Sequence, residues 1–206
     1  MLDELDNVKW ENLACAHNPV EVPHLIRQLC SDDPDQRLQA LEVLIEYLWY
    51  QGTVFECSLY ALPFLVDLLT EPSTPDKTGI AVLISAIGTG TPYYTGQTSL
   101  EDPGIDWNAV LAKRGKSLDD ELAKERVLAD RIREEVKKAL PHLIPYFEDP
   151  NSEVRIDIGE VLSRYPEYRD EHLRLLRNGL NIEPDPSTRE RIQEYIDVLD
   201  STWKKG

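Results

Sequence analysis

Gly115-Lys116-Ser117 ends as a phosphate-binding loop ends, with a lysine and a hydroxyl able to meet an anion and its magnesium. The earlier glycine such a loop needs falls at Val110, so the match fails. Gly88-Thr89-Gly90 could bring backbone close to a dinucleotide, yet the apolar run before it, Ile80 to Ile87, reads as helix rather than strand. His17 stands two residues from Cys15, a spacing that holds a metal only with further ligands, and none can be picked out, so no metal is expected. Glu42 and Glu46 lie one helical turn apart and could share acid–base chemistry, although a solvated helix face explains them as well. His24 and His142 recur at one place in a repeat, which points to structure before catalysis. No cofactor is called for, no catalytic residue is assigned, and a non-enzymatic chain is the expectation.

The elements that must carry these residues announce themselves by repetition. Val22-Pro23-His24-Leu25-Ile26 returns as Leu62-Pro63-Phe64-Leu65-Val66 and as Leu140-Pro141-His142-Leu143-Ile144. Fourteen positions after each proline stands a base: Arg37, Lys77 and Arg155. Self-similarity at such a period is the mark of stacked helical pairs, each burying its apolar stripe against the next. The chain divides accordingly into a cap at 1–19, repeats at 20–50, 53–87, 119–165 and 168–204, and an insertion at 88–118, all within one domain over 1–206.

Leu38, Leu41, Leu44, Ile45 and Leu48 recur at helical spacing over 35–50, with Glu42, Glu46 and Trp49 on the other face. Residues 80–87 are apolar on every side and so belong in the middle of the stack. Residues 88–96 show no helical period, and only 105–112 around Trp107 should form a turn or two. Ile192, Ile196, Leu199 and Trp203 form the inner stripe of the last helix.

The net charge is −16, and it is uneven: residues 1–88 hold fourteen acids against four bases. A negative surface repels phosphate backbones and anionic headgroups, which argues against nucleic acid and membrane and favours a basic protein as partner. Cys15, Cys30 and Cys57 are odd in number and hold no close pair, so they read as reduced, partly buried thiols. The first residues lack a basic region followed by an apolar run, which leads to the expectation of a cytoplasmic chain.

Pro141-x-Leu143, followed by Asp149-Pro150 and Val154-Arg155, resembles the helix-turn-helix unit of HEAT repeats. The opening half is also similar to small bacterial HEAT-like proteins in Trp10, in Gln51-Gly52-Thr53 and in Ala61-Leu62-Pro63-Phe64-Leu65. The resemblance implies an all-α fold, a right-handed α–α superhelix of about four helical pairs. It implies that Pro23, Pro63 and Pro141 bend first helices, and that a ladder joins Asp32 or Asp33 with Arg37 and Asp149 with Arg155. The second unit departs, with Glu71 and Lys77, and the fourth has Arg174 in place of the proline but keeps Asp185-Pro186 and Arg189.

Binding energy in interfaces concentrates in Trp, Tyr and Arg. Glu42, Glu46, Trp49, Tyr50, Gln51, Tyr60, Tyr93, Tyr94 and Trp107 are therefore the expected partner-binding set, with an inhibitor or immunity-type role as one concrete form. The alternative is an enzyme on the same scaffold, since HEAT-like repeats occur in alkylpurine DNA glycosylases and bilin lyases. A glycosylase needs a basic cleft, and the bases of 126–138 are interleaved with acids.

Overall fold

Pro23 lies in the first turn of a helix, where its missing N–H has no partner to lose, and that helix, α1 (Val22–Gln28), opens a succession of helical pairs. The computed structural model describes residues 2–100 and 104–202. Among them the elements run α2 (Pro34–Leu48), β1 (Thr53–Val54), α3 (Glu56–Thr70), α4 (Lys77–Thr89), β2 (Thr91–Pro92), α5 (Tyr93–Thr98), α6 (Trp107–Ala112), α7 (Leu118–Leu143), α8 (Ser152–Ser163), α9 (Arg169–Ile182) and α10 (Pro186–Thr202). The fold is all-α. Its two strands are a two-residue parallel pair, Thr53 beside Thr91 and Val54 beside Pro92, that fastens the turn after α2 to the turn after α4. Trp203 lies outside the described residues.

The pairs are α1 with α2, α3 with α4, the turn over Ile144–Glu148 that follows α7 with α8, and α9 with α10. Each second helix also packs on the next second helix, so α2, α4, α8 and α10 form one continuous row. The contact follows from sequence. Leu44 and Leu48 of α2, Ile80, Leu83, Ile84 and Ile87 of α4, Ile158, Val161 and Leu162 of α8, and Ile192, Ile196 and Leu199 of α10 are all buried in one hydrophobic cluster. Within α4 only Val82 and Ala86 interrupt the buried run from Ile80 to Ile87, and the helix is packed against α2, α3, α7 and α8. Pro63 and Pro141 fall inside α3 and α7. Just beyond Pro141, α7 gives way to a 3-10 turn over Ile144–Glu148.

Arginines tie neighbouring units together, though not with the acids the resemblance implies. Arg37 donates to the Ser31 carbonyl at 2.7 Å and pairs with Asp76 of the next unit. Asp33 instead caps α2 by accepting from the Asp35 N–H, while Asp32 has no such role. Arg155 reaches the main-chain carbonyl of Asp149 at 2.7 Å, and its carboxylate partner is Glu183. The Asp149 carboxylate accepts from the Asn151 N–H. Arg189 repeats the first half of the pattern on the Glu183 carbonyl at 3.2 Å. In all three, the arginine bonds the carbonyl six residues before it.

Two further expectations are corrected. Cys15 and Cys57 are joined as a disulfide with Cα atoms 5.4 Å apart, and their sulfurs lie 3.4 and 3.6 Å from the Tyr47 carbonyl. Their separation of 42 residues hid the pair, which clamps the N-terminal cap to the start of α3. Cys30 is free and exposed. The stretch 88–96 is largely helical: α4 runs on to Thr89 and α5 begins at Tyr93. Its cap comes from far away, since both oxygens of Glu125 on α7 accept from the backbone N–H groups of Tyr94 (2.8 Å) and Thr95 (2.7 Å). A helix this short does not form on its own periodicity.

Candidate functional site

The row of second helices presents a recess of about 280 Å³ between α2, α4 and α8. Ile45 and Trp49 line it from α2, Val82, Leu83, Ser85, Ala86 and Thr89 from α4, and Asp157 and Glu160 from α8. Helical spacing places Glu42 one turn before Ile45 and Glu46 one turn before Trp49, and both acids are exposed. Asp157 and Glu160 are three residues apart and share a face of α8 in the same way. Among the described residues, no Lys or Arg forms an ion pair with Glu42, Glu46, Glu153 or Asp157. Glu160 is met by Arg164 at 3.1 Å.

This grouping perturbs Asp157. Burial first, then the carboxylates of Glu160 and Glu153, push its pKa up to about 6. The Trp49 side chain lines the recess, while its indole N–H is enclosed by protein with no acceptor. The other titratable neighbours come from α10: the Arg191 guanidinium lies 5.5 Å from the ring centre of Tyr195, which is buried against α8 at Gly159. Burial raises Tyr195 to about 12, with Glu160 adding to the shift.

A second cavity, of about 580 Å³, opens where the start of α3, the start of α7, the β2–α5 segment and residues Asn12 to Ala14 meet. Tyr60, Tyr93 and Tyr94 line it with Leu59, Pro92, Val127 and Leu128. Trp107 braces it from behind, its ring edge-on to Tyr93 at 5.7 Å and Tyr94 at 5.5 Å. The Arg131 guanidinium lies 5.7 Å from the Tyr60 ring centre. Each carboxylate of this rim is already engaged: Glu56 by the Ala14 N–H at 3.0 Å, Glu125 by the α5 amides, Glu121 by Lys124 at 2.7 Å. The Lys124 hydrogen bond holds the Glu121 carboxyl below its ordinary range. The cavity is therefore aromatic and apolar with a satisfied rim, unlike the recess.

The nine residues expected on one surface are thus divided. Glu42, Glu46 and Trp49 belong to the recess and its flank, and Tyr60, Tyr93 and Tyr94, braced by Trp107, belong to the cavity; the two share no lining residue. Tyr50 is exposed beside His17, ring centres 5.7 Å apart. Gln51 holds a left-handed φ of 50° in the turn leading to β1. Asp157 and Glu160 were missed, because an acid between Ile156 and Ile158 reads as the polar side of an amphipathic helix. Only packing against α2 and α4 turns that side inward.

The other chemical candidates take structural or solvent-facing places. A Cβ on Gly88 would lie 2.9 Å from Val136 and 3.0 Å from Val161, so that glycine lets α4 cross α7 and α8 closely. His24 and His142 are both exposed. Among the described residues no group of three or more His, Cys, Asp or Glu side chains is placed to hold a metal. No described helix is long and apolar enough to cross a membrane. No protein-family model, curated protein or solved structure matches the chain.

Proposed function

We propose that the chain is a HEAT-like helical-repeat module, a right-handed superhelical stack that binds a basic partner protein and performs no chemistry of its own. The repeated arginine-to-carbonyl bonds at Arg37, Arg155 and Arg189 and the continuous row of second helices support the architecture. One observation carries the function: Glu42 and Glu46 on α2 and Glu153 and Asp157 on α8, the neighbouring helices of the row, have no Lys or Arg paired to them among the described residues. Uncompensated like charges on one face raise the local potential and draw an oppositely charged surface. The aromatic cavity supplies apolar contact area for the same partner on a neighbouring element.

The glycosylase-like alternative needs a continuous positive groove. Along α7 the bases are met by acids: Lys124 by Glu121, Arg133 and Lys137 by Glu167, and Lys138 by Glu135. That pairing favours the binding module.

The test is capture of partners from the native host followed by measured affinity of each purified partner. The partner is expected to be basic, to bind about tenfold or more weakly at 200 mM than at 50 mM salt, and to lose affinity with Glu42→Gln/Glu46→Gln. Binding indifferent to both salt and the double substitution removes this face from the function.

A further inference from the structure

Five charged side chains line the aromatic cavity, and four of them are committed. Glu56 accepts from the Ala14 N–H, Glu125 from the Tyr94 and Thr95 amides and the Thr95 hydroxyl, and Glu121 pairs with Lys124. The fifth is Arg131. Its guanidinium lies over the Tyr60 ring, and among the described residues it forms neither a hydrogen bond nor an ion pair.

The same cavity collects apolar surface that the fold leaves uncovered. Of the eleven large apolar side chains exposed among the described residues, Tyr60, Tyr93 and Val127 all line it. The recess between α2, α4 and α8 is lined by none of them. Exposed apolar side chains scattered singly need no explanation, but three around one concavity mark a binding surface.

These features select a ligand. At about 580 Å³ the cavity falls within the range of roughly 300–1,000 Å³ for small-ligand sites. Its carboxylates already hold amide and ammonium donors, and a cationic guest would add its charge to those of Lys124 and Arg131. A carboxylate instead meets Arg131, whose planar fork matches it, and breaks no existing ion pair. Phe55, Tyr60, Tyr93 and Tyr94 offer the ring faces and edges that an aromatic group prefers, with Leu59 and Leu128 between them. Along α7, Arg131 stands six residues after Glu125, the residue that holds α5, which is about 9 Å of helix. A single ring with a short arm to its carboxylate spans that length, whereas an extended acyl chain overruns it.

We propose that this cavity binds a carboxylate-bearing aromatic group, with the carboxylate on the Arg131 guanidinium and the ring among Tyr60, Tyr93 and Tyr94. The proposal rests on the cavity's place in the binding surface assigned above and names the chemistry it takes. A free aromatic acid presents that chemistry, and so does an aromatic residue at a partner's carboxy terminus.

The experiment is a calorimetric titration of the full chain with hydrocinnamate, a phenyl ring on a two-carbon arm. The Trp107 indole resonance, assigned by its loss in Trp107→Phe, reports the location, since that ring meets Tyr93 and Tyr94 edge-on from behind the cavity. The acid is expected to bind saturably and to shift this resonance. Its primary amide, which keeps the shape without the charge, should bind about tenfold or more weakly. Arg131 is exposed, so Arg131→Gln spares the core, and with its thermal transition unchanged it should weaken the acid about tenfold or more. Arg131→Lys, which keeps the charge but not the fork, should recover part of that loss. Equal affinity for acid and amide, acid binding untouched by Arg131→Gln, or no binding up to the solubility of the acid overturns the site. Acetyl-Gly-Gly-Phe with a free carboxylate separates the sources: tighter binding than hydrocinnamate assigns the site to a chain end, and equal or weaker binding assigns it to a free acid. The two proposals fail separately. No acid binding beside salt-sensitive partner binding removes this site and keeps the acidic face, and acid binding beside salt-indifferent partner binding does the reverse.

Discussion

Arg155 and Glu183 face each other across two units, with the guanidinium Nε and Nη2 bonded to the two carboxylate oxygens at 2.7 and 2.8 Å. The Glu183 side chain is only 3% exposed and that of Arg155 15%, so neither charge has water to fall back on. Removing one member strands the other. Glu183→Ala is expected to destabilise the protein by about 3–5 kcal/mol in urea unfolding, while an apolar double replacement of both residues stays close to neutral. The Arg155 hydrogen bond holds the Glu183 carboxyl below its ordinary range. A depressed folded pKa gives stability that is present above the unfolded value and lost as pH falls, so this contribution should fade on acidification below about pH 4.5.

That pair also marks how far sequence reading reaches. The proline-to-base register singles out Arg37 and Arg155, and each pairs with an acid of a later segment. Their acidic partners do not repeat in register: Asp76 immediately precedes Lys77, whereas Glu183 stands six residues before Arg189. A carboxylate can approach a guanidinium from several backbone positions, so spacing alone does not choose among them. The recess was illegible for a related reason. Asp157 is ordinary in its own helix and becomes unusual only when α2 and α4 close over it.

The Cys15–Cys57 link closes a loop of 42 residues between the cap and α3. Chain-entropy arguments assign a link of this span roughly 2–4 kcal/mol. Cys57→Ser should lower stability by that amount under non-reducing conditions and by much less with reductant present. Alkylation of the unfolded, unreduced protein should label Cys30 alone, as read by intact mass, and labelling of all three cysteines would contradict the link.

Glu125 holds α5 in place from α7 by three hydrogen bonds, two to backbone N–H groups and one to the Thr95 hydroxyl. Glu125→Ala is expected to raise amide exchange at Tyr94 and Thr95 sharply and to remove about 1–2 kcal/mol of local stability. The ring contacts of Tyr93 and Tyr94 with Trp107 depend on the same anchor, so the Trp107 indole resonance should shift as well. Exchange at those amides equal to that of the parent protein would mean the aromatic cluster holds α5 without the cap.

Asp157 gives the sharpest pH signature. Its folded pKa is about 6 against an ordinary value of 3.8, so ionising it favours the unfolded chain. The sign follows from linkage: the folded state holds this proton more tightly, and stability falls as pH rises from about 4 through 6. Asp157→Asn abolishes the titration. The substitution should therefore stabilise the protein at pH 7–8, by about 1–2 kcal/mol once solvent screening of a partly exposed group is allowed for, and the gain should shrink towards zero below pH 4. Urea unfolding at a series of pH values measures this directly. A gain independent of pH would trace to packing of the amide, and a loss at pH 7 would mean that the folded protein already supplies Asp157 with a partner.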